Sequence, residues 1–542
     1  MLDQEKQEQQ EQQQEPGSVA AQARKKSPSF HFSILLLGLI GFLVALDATS
    51  LATAIPVIGN ELDGTTIESF WAGIAFTLAV AITQPVYSSV SDVLGRKIPL
   101  YAGLFFFTIG SIVFSSAKSM GIAILGRILM GLGGGGLDVL QVIILSDVTT
   151  LRERPLYMAV NAVFNATGAV LGLILGGTFS EYVTWRWLGW FNLPFLAICF
   201  LLTFVFLNIK AINSDLRQKL ERLDWIGMLL FATGGTCLAL PLSWANALFP
   251  WSAWQTLFPL IIGLLLLGIL GWYEGRPASP VFPYRIFSTR TANAALISGT
   301  IHGLLMYTIS QYLPLFYEAV YLHTPLETGI ATLPYCGVTI VFSAISGVVV
   351  IKIRQYRLVL WVGWILSTIF IGLLYLVRET TSTTEAYIYQ AFMGVGVGTV
   401  LTVTAFPTQA SVSHVDDVGI AAGMLVIFRL FGALLGLTMA STVFSSVFQQ
   451  RMNAVTAAMT LPDSLEVLKD ASQAVGFIPH LRELSGVVSW ETMSAVIAVY
   501  TRSFQVVWLV FTGFFVVGFA VSLSIQELSM ENDDVGRQGL AQ

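Results

Sequence analysis

The stretch GRILMGLGGGGLDVLQVIILSDVTTLRERPLYMAVNAVFNATGAVLGLILGG, residues 126–177, decides how the chain is read. Two long apolar segments flank a short charged turn, Arg152-Glu153-Arg154-Pro155. The first segment carries Arg127 and Asp138 at depths where a lipid-facing helix would tolerate neither. An ionisable group inside a membrane segment is rare and usually faces a cavity or a partner helix. The second segment places Gly168, Gly172 and Gly176 four residues apart, with Gly177 beside the last. Such a row makes a flat strip that lets another backbone come close. Charge within the bilayer beside a glycine strip suggests a moving, solute-handling membrane protein.

Working outward, the chain has 542 residues, 55% hydrophobic and only 11% charged, with a mean hydropathy of +0.72. Soluble domains carry roughly a quarter charged residues, so the chain reads as an all-α polytopic membrane protein. Apolar runs long enough to cross a bilayer are expected near 33–57, 69–90, 98–116, 121–146, 157–179, 187–208, 224–244, 254–273, 294–318, 328–350, 357–377, 385–407, 418–446 and 501–525. The first follows some thirty polar residues, so a membrane helix is expected there and not a cleavable signal. The net charge of −5 argues against nucleic-acid binding. Cys199, Cys237 and Cys336 lack paired spacing, which leaves no metal site and favours small buried hydrophobes. No GxxxxGK[ST] pattern occurs, which disfavours ATP-driven pumping.

Basic residues fall in every second short connection: Arg96 and Lys97, Arg152 and Arg154, Lys210 to Arg222, Arg276 to Arg290, Lys352 to Arg357. By the positive-inside rule these loops and both termini are expected in the cytoplasm. An internal repeat is also visible. MGLGGG at Met130 recurs as MGVGVG at Met393, and GAVLGL at Gly168 recurs as GALLGL at Gly432, at offsets of 263 and 264. The offset covers eight spans, so a duplicated six-helix half with two helices inserted between the copies is expected. Duplicated halves around a midplane site are a recurring transporter plan. The expected division is a disordered tail over 1–30, a first half over 31–210, a linker with two helices over 211–290, and a second half over 291–527. That second half includes a long external loop near 449–499, and a cytoplasmic tail over 528–542 follows it.

Asp47 lies about halfway along the first span, as a proton carrier or a structural acid. Arg127 can hold an acid ionised, bind an anion or bond a carbonyl, or else snorkel toward the membrane surface. Asp138 lies about three turns further along, too far to pair with Arg127, and is expected either to face the inward-open half of the cavity or to meet Arg429 or Arg152 in one state. A buried Arg429 needs a carboxylate, with Asp47 and Asp138 the candidates. In the repeat, Gln390 takes the place of Arg127 and Leu401 that of Asp138. Gln84, Gln141, Asn161, Asn165, Tyr307, Gln311 and Gln390 are expected either to line a substrate cavity or to join helices. Asn165-Ala166-Thr167 matches a sequon inside a span, where modification is not expected. Trp185, Trp187 and Trp190 read as interfacial anchors. In SSVSDVLGRKIPL, Gly95 allows a tight turn, Arg96 and Lys97 stay in the cytoplasm, and Asp92 either braces one conformation or merely accompanies positive-inside anchoring.

Together these segments resemble the fourteen-helix drug:proton antiporters of the major facilitator superfamily, particularly fungal toxin and metabolite efflux members. LDATSLATAIP at Leu46 looks like the family's first-helix signature, and Asp92, Gly95, Arg96, Lys97 and Leu100 match its loop motif. GRILMGLGGGG looks like its fourth-helix motif with the functional arginine at Arg127. GAVLGLILGG with WRWLGWFNLP looks like the antiporter motif, carried by Gly168, Gly172, Gly176 and Gly177. Ser88, Val93, Leu173 and Asp138 depart from the family pattern. The resemblance implies a major facilitator fold and a monomeric plasma-membrane exporter of small amphipathic molecules in exchange for protons, with no cofactor and no enzymatic activity. A proton-coupled importer on the same fold is the alternative.

Overall fold

The computed structural model describes residues 27–149, 153–207, 223–245, 249–277, 280–412 and 416–528. The side chains of Asp92, Arg154, Pro155, Ala159 and Asp416 lie outside that description. Most of both expected tails, Arg152 and the basic stretch from Lys210 to Arg222 lie outside it too.

Among the described residues, fourteen long helical segments make up the bundle. They are α1 (Pro28–Ser50), α2 (Thr66–Leu94), α3 (Lys97–Ser115), α4 (Met120–Val148), α5 (Arg154–Thr178), α6 (Trp187–Val205), α7 (Trp225–Trp244) and α8 (Trp254–Tyr273). Then come α9 (Arg290–Val320), α10 (Leu333–Ile353), α11 (Arg357–Leu374), α12 (Thr383–Val403), α13 (Asp416–Ala458) and α14 (Trp490–Ser522). Among the described residues, thirteen helices are long and apolar enough to cross a membrane. The remaining long helix, α9, is more polar and most of it is buried inside the protein, including His302, Gly303 and Glu318. Leu125, Leu201, Phe204, Leu264, Leu265 and Val341 are exposed on the flanks, as a lipid-facing surface requires.

Local signals set the ends. Ser27 Oγ accepts from Phe30 N at 3.3 Å to start α1, and Thr65 with Glu68 forms a reciprocal cap on α2. Gly95, at φ +89°, turns the chain from α2 into α3. The first span was expected to reach residue 57, but α1 stops at Ser50 and a short helix restarts at Ile55–Glu61. Pro56 explains this: it cannot donate to a preceding turn and is pre-organised to begin a new helix.

The pairing of helices repeats. α1 packs along α5 as α9 packs along α13, α2 along α4 as α10 along α12, and α3 along α4 as α11 along α12. Glycines make the first pair close. A Cβ at Gly168, Gly172 or Gly176 would strike the carbonyls of Phe42, Leu46 or Ser50, and one at Gly432 or Gly436 those of Thr300 or Leu304. Gly177 instead meets Pro325 and Leu326 across the boundary between halves. The inserted α7 and α8 pack on each other, and α7 wedges against α2 and α13, where the halves adjoin. At the end of α8, Glu274 accepts from Phe282 N at 3.1 Å.

At the end of the bundle opposite Arg96 the halves touch. Phe70 of α2 stacks on Tyr312 of α9 and meets Phe444 of α13 edge-on. The loop expected over 449–499 is shorter than that. α13 stays helical to Ala458, because QRMNAVTAA continues a run of good helix formers, and α14 begins at Trp490, capped by Ser489. Between them residues 459–489 fold into short helical turns that lie over this end as a cap. Val475 N donates to Thr66 Oγ1 at 2.9 Å, and His480 Nε2 lies 3.0 Å from Asn60 Oδ1. Toward the other half, Tyr500 donates to Ala474 O at 2.5 Å and Arg482 to His323 O at 3.3 Å.

Candidate functional site

Two polar centres lie within the apolar bundle, and they differ in access. The first is dry. Arg127 Nη1 donates to Asp47 Oδ2 at 2.6 Å, and both side chains are only 2% exposed. Arg127 Nε donates to Ala72 O at 3.2 Å, and the guanidinium lies over the Phe76 ring at 4.3 Å. Asn192, fully buried, stands beside the same carboxylate. Arg127 therefore does not snorkel. Neither does Asp47 meet Arg429, because Arg127 holds it.

The second centre is partly exposed and draws on both halves. Asp138 of α4 accepts from Gln84 Nε2 of α2 at 2.7 Å and from Gln141 Nε2 at 3.1 Å. Gln141 Oε1 accepts in turn from Asn161 Nδ2 of α5 at 3.4 Å. Each amide in this ladder points its hydrogens toward Asp138, as a carboxylate acceptor demands. Arg429 of α13 lies within electrostatic reach of Asp138, and so does Tyr307 of α9. Arg429 Nη2 donates to Leu401 O at 2.8 Å, while its Nε has no hydrogen-bond partner. Among the described residues no ion pair joins Asp138 to Arg429 directly. Asp138, Tyr307, Arg429 and Asn165 all keep partial exposure, although they lie mid-helix in the bundle interior.

The other expected residues fall elsewhere. Asn165 Nδ2 donates to Asn161 O of its own helix at 2.9 Å. Gln311 lines a small recess with Ile55, Phe70, Gly73, Tyr312 and Leu437 under the capped end. Gln390 takes the second of its two expected roles: it is fully buried and joins α12 to α9, donating to Tyr317 Oη at 2.5 Å. Trp185 was expected as a surface anchor; it is 0% exposed, and its Nε1 donates to Glu61 Oε2 at 2.8 Å. Trp187 does stay exposed. In the loop motif, Arg96 is not a freely solvated cation. It is buried, with Nε donating to Asp147 Oδ2 at 2.8 Å and Nη1 to Ser91 Oγ at 2.7 Å. Lys97 Nζ lies 3.5 Å from Phe204 O, and the Asp92 side chain lies outside the described residues. Asp147 was missed in the sequence. The signal was there: an acid at the end of α4, at the same depth as the arginine that follows α2. His302 is buried in mid-helix with Nε2 2.9 Å from Val397 O.

The same fold recurs in known proteins. The Major Facilitator Superfamily model matches residues 37–437. The chain belongs to the Major Facilitator Superfamily. Among its relatives, the MFS-type transporter sphD of Aspergillus fumigatus is 42% identical over 95% of this chain and 88% of that protein. The efflux pump FUS6 of Gibberella moniliformis is 30% identical over 94% of this chain and 90% of its own length. The MFS-type efflux pump MMF1 of Mycosarcoma maydis is 32% identical over 93% and 81%. In fold, the chain is similar to a bacterial homologue of the human lysosomal transporter Spinster, solved inward-facing and unoccupied. The TM-score is 0.60 at 16% identity, covering 93% of this chain and 98% of that one. The protein is thus a multi-pass membrane transporter of the superfamily that handles small molecules, and not an enzyme.

Proposed function

We propose that the protein is a secondary active exporter of small amphipathic organic compounds, of the toxin, secondary-metabolite or drug class, driven by proton antiport. The supporting observation is Asp138: a carboxylate in the bilayer interior, partly exposed, facing an arginine of the opposite half. A group that must exchange protons with water on each side in turn needs that access, and the dry Asp47–Arg127 pair lacks it. In this reading the basic loops and both termini are cytoplasmic, the capped end faces outward, and a monomer without cofactor works in the plasma membrane. The halves rock about the centre between them, and proton uptake from outside favours release of substrate there. One charge crossing 100 mV supplies about 2.3 kcal/mol, and one pH unit about 1.4 kcal/mol.

The test uses proteoliposomes containing the full chain and a fluorescent amphiphile, with an imposed pH gradient. Wild type accumulates the dye against its gradient. Asp138→Asn retains downhill movement but loses the uphill component. Uphill transport that survives Asp138→Asn but disappears in Asp47→Asn moves the proton site to the Asp47–Arg127 pair. Dye accumulation only when dye and protons run the same way overturns export.

A further inference from the structure

Asp138 and Arg429 stand on facing halves, oppositely charged and within electrostatic reach, yet each is held by its own half. Gln84 and Gln141 fix the carboxylate, and the Leu401 carbonyl holds one end of the guanidinium. A carboxylate offers about four acceptor positions and a guanidinium five donors. Two of the first and one of the second are taken here, and the Arg429 Nε is a buried donor without a partner. The free capacity therefore has two signs, one on each side of the boundary between halves.

We propose that the substrate is a zwitterionic amphiphile, whose ammonium group is held by Asp138 and whose carboxylate is held by Arg429. This rests on the same centre being the transport site. The choice follows by elimination among head-group charges. A plain cation would satisfy Asp138 while facing the repulsion of Arg429, and a plain anion would suffer the reverse. A neutral head group would bury both charges without compensating either, which is costly in a low-dielectric interior. A carboxylate matches the planar donor fork of arginine in two-point geometry, which an ester carbonyl cannot. Tyr307, the other titratable group facing Asp138, comes from α9, while α2 contributes only the amide of Gln84. Among the described residues Asp138 is thus the one acid facing the ammonium. A proton placed there removes the ammonium's partner, so proton and substrate exclude one another at a single carboxylate. Antiport needs that exclusion.

The experiment measures binding to the full chain in lipid nanodiscs by calorimetry, corrected for empty discs. The probes are 2-aminododecanoic acid, its methyl ester and its N-acetyl derivative. They share one tail and carry a zwitterionic, a cationic and an anionic head group. On the unmodified protein the amino acid binds at least ten-fold more tightly than either derivative. In Asp138→Asn the N-acetyl acid draws level with the amino acid, and in Arg429→Gln the ester does. Equal binding of the three probes to wild type, tightest binding by either single-charged probe, or binding by none overturns the proposal. Because no gradient is applied, such a result leaves proton-driven export to be judged by the proteoliposome assay alone.

Discussion

In α5, Gly168 and Gly172 rest on the carbonyls of Phe42 and Leu46; in α13, Gly432 and Gly436 rest on those of Thr300 and Leu304. The two contacts are built alike, yet their surroundings differ. One residue past Leu46 stands Asp47, ion-paired to Arg127; one residue past Leu304 stands Leu305. Gln390, in the place of Arg127, settles for a tyrosine hydroxyl. Backbone proximity is a demand that both halves share, so duplication preserved it. Charge is not such a demand, and among the described residues the dry ion pair occurs in the first half alone.

Removing one partner of a buried ion pair leaves a charge without compensation, so the largest effect is expected at Arg127. Arg127→Leu should destabilise the protein by about 3–5 kcal/mol, whereas Gln390→Leu removes one neutral hydrogen bond and should cost about 1 kcal/mol. Thermal unfolding of both variants in the same detergent compares them. Equal losses would mean that the charged centre contributes no more than its neutral counterpart. Gly172→Ala and Gly436→Ala come next, each expected to cost about 1–3 kcal/mol through forced separation of backbones. A penalty confined to one half would show that the glycine contacts are not equivalent. The double variant Asp47→Leu with Arg127→Leu should lie within about 1 kcal/mol of wild type, since no lone charge remains.

The last effect concerns the inserted hairpin, which belongs to neither half. Burial, together with the nearby Asp224, pushes the Glu274 carboxyl up to about 7. A folded-state value above the unfolded one means that the protonated acid is the favoured form. The stabilisation is complete below about pH 4.5 and is lost as the pH rises through about 7. The melting temperature of wild type should therefore fall over that window relative to Glu274→Gln. Parallel curves for the two proteins would remove Glu274 from the account.

Much of the architecture could be read from the chain because bilayer thickness and glycine spacing are one-dimensional constraints. Runs of apolar residues announced the spans, and the Gly168/Gly432 offset announced the doubled pairing of helices. Ends were less legible where helix continues outside the membrane, as α13 and α14 do, since hydropathy is silent there. The pairing of charges was legible only in part. Sequence shows that Arg127 and Arg429 need partners, but the choice depends on which helix faces turn toward each other. Arg127 therefore took Asp47, and Arg429 was left facing an Asp138 already held by two amides. In one dimension Gln390 reads equally as a wall or a joint, and Trp185 as a surface residue. Tyr317 and Glu61, far away in the chain, draw both of them inside.

The cap over residues 459–489 has one further consequence. It is covalently continuous with α13 and α14, and Gln449 ties it further to α13 through Lys469 O and Ala471 N. Its attachments to the first half rest on Thr66 and Asn60. If the two bundles separate at that end, the lid travels with the later bundle, and the tear line runs along those two side chains.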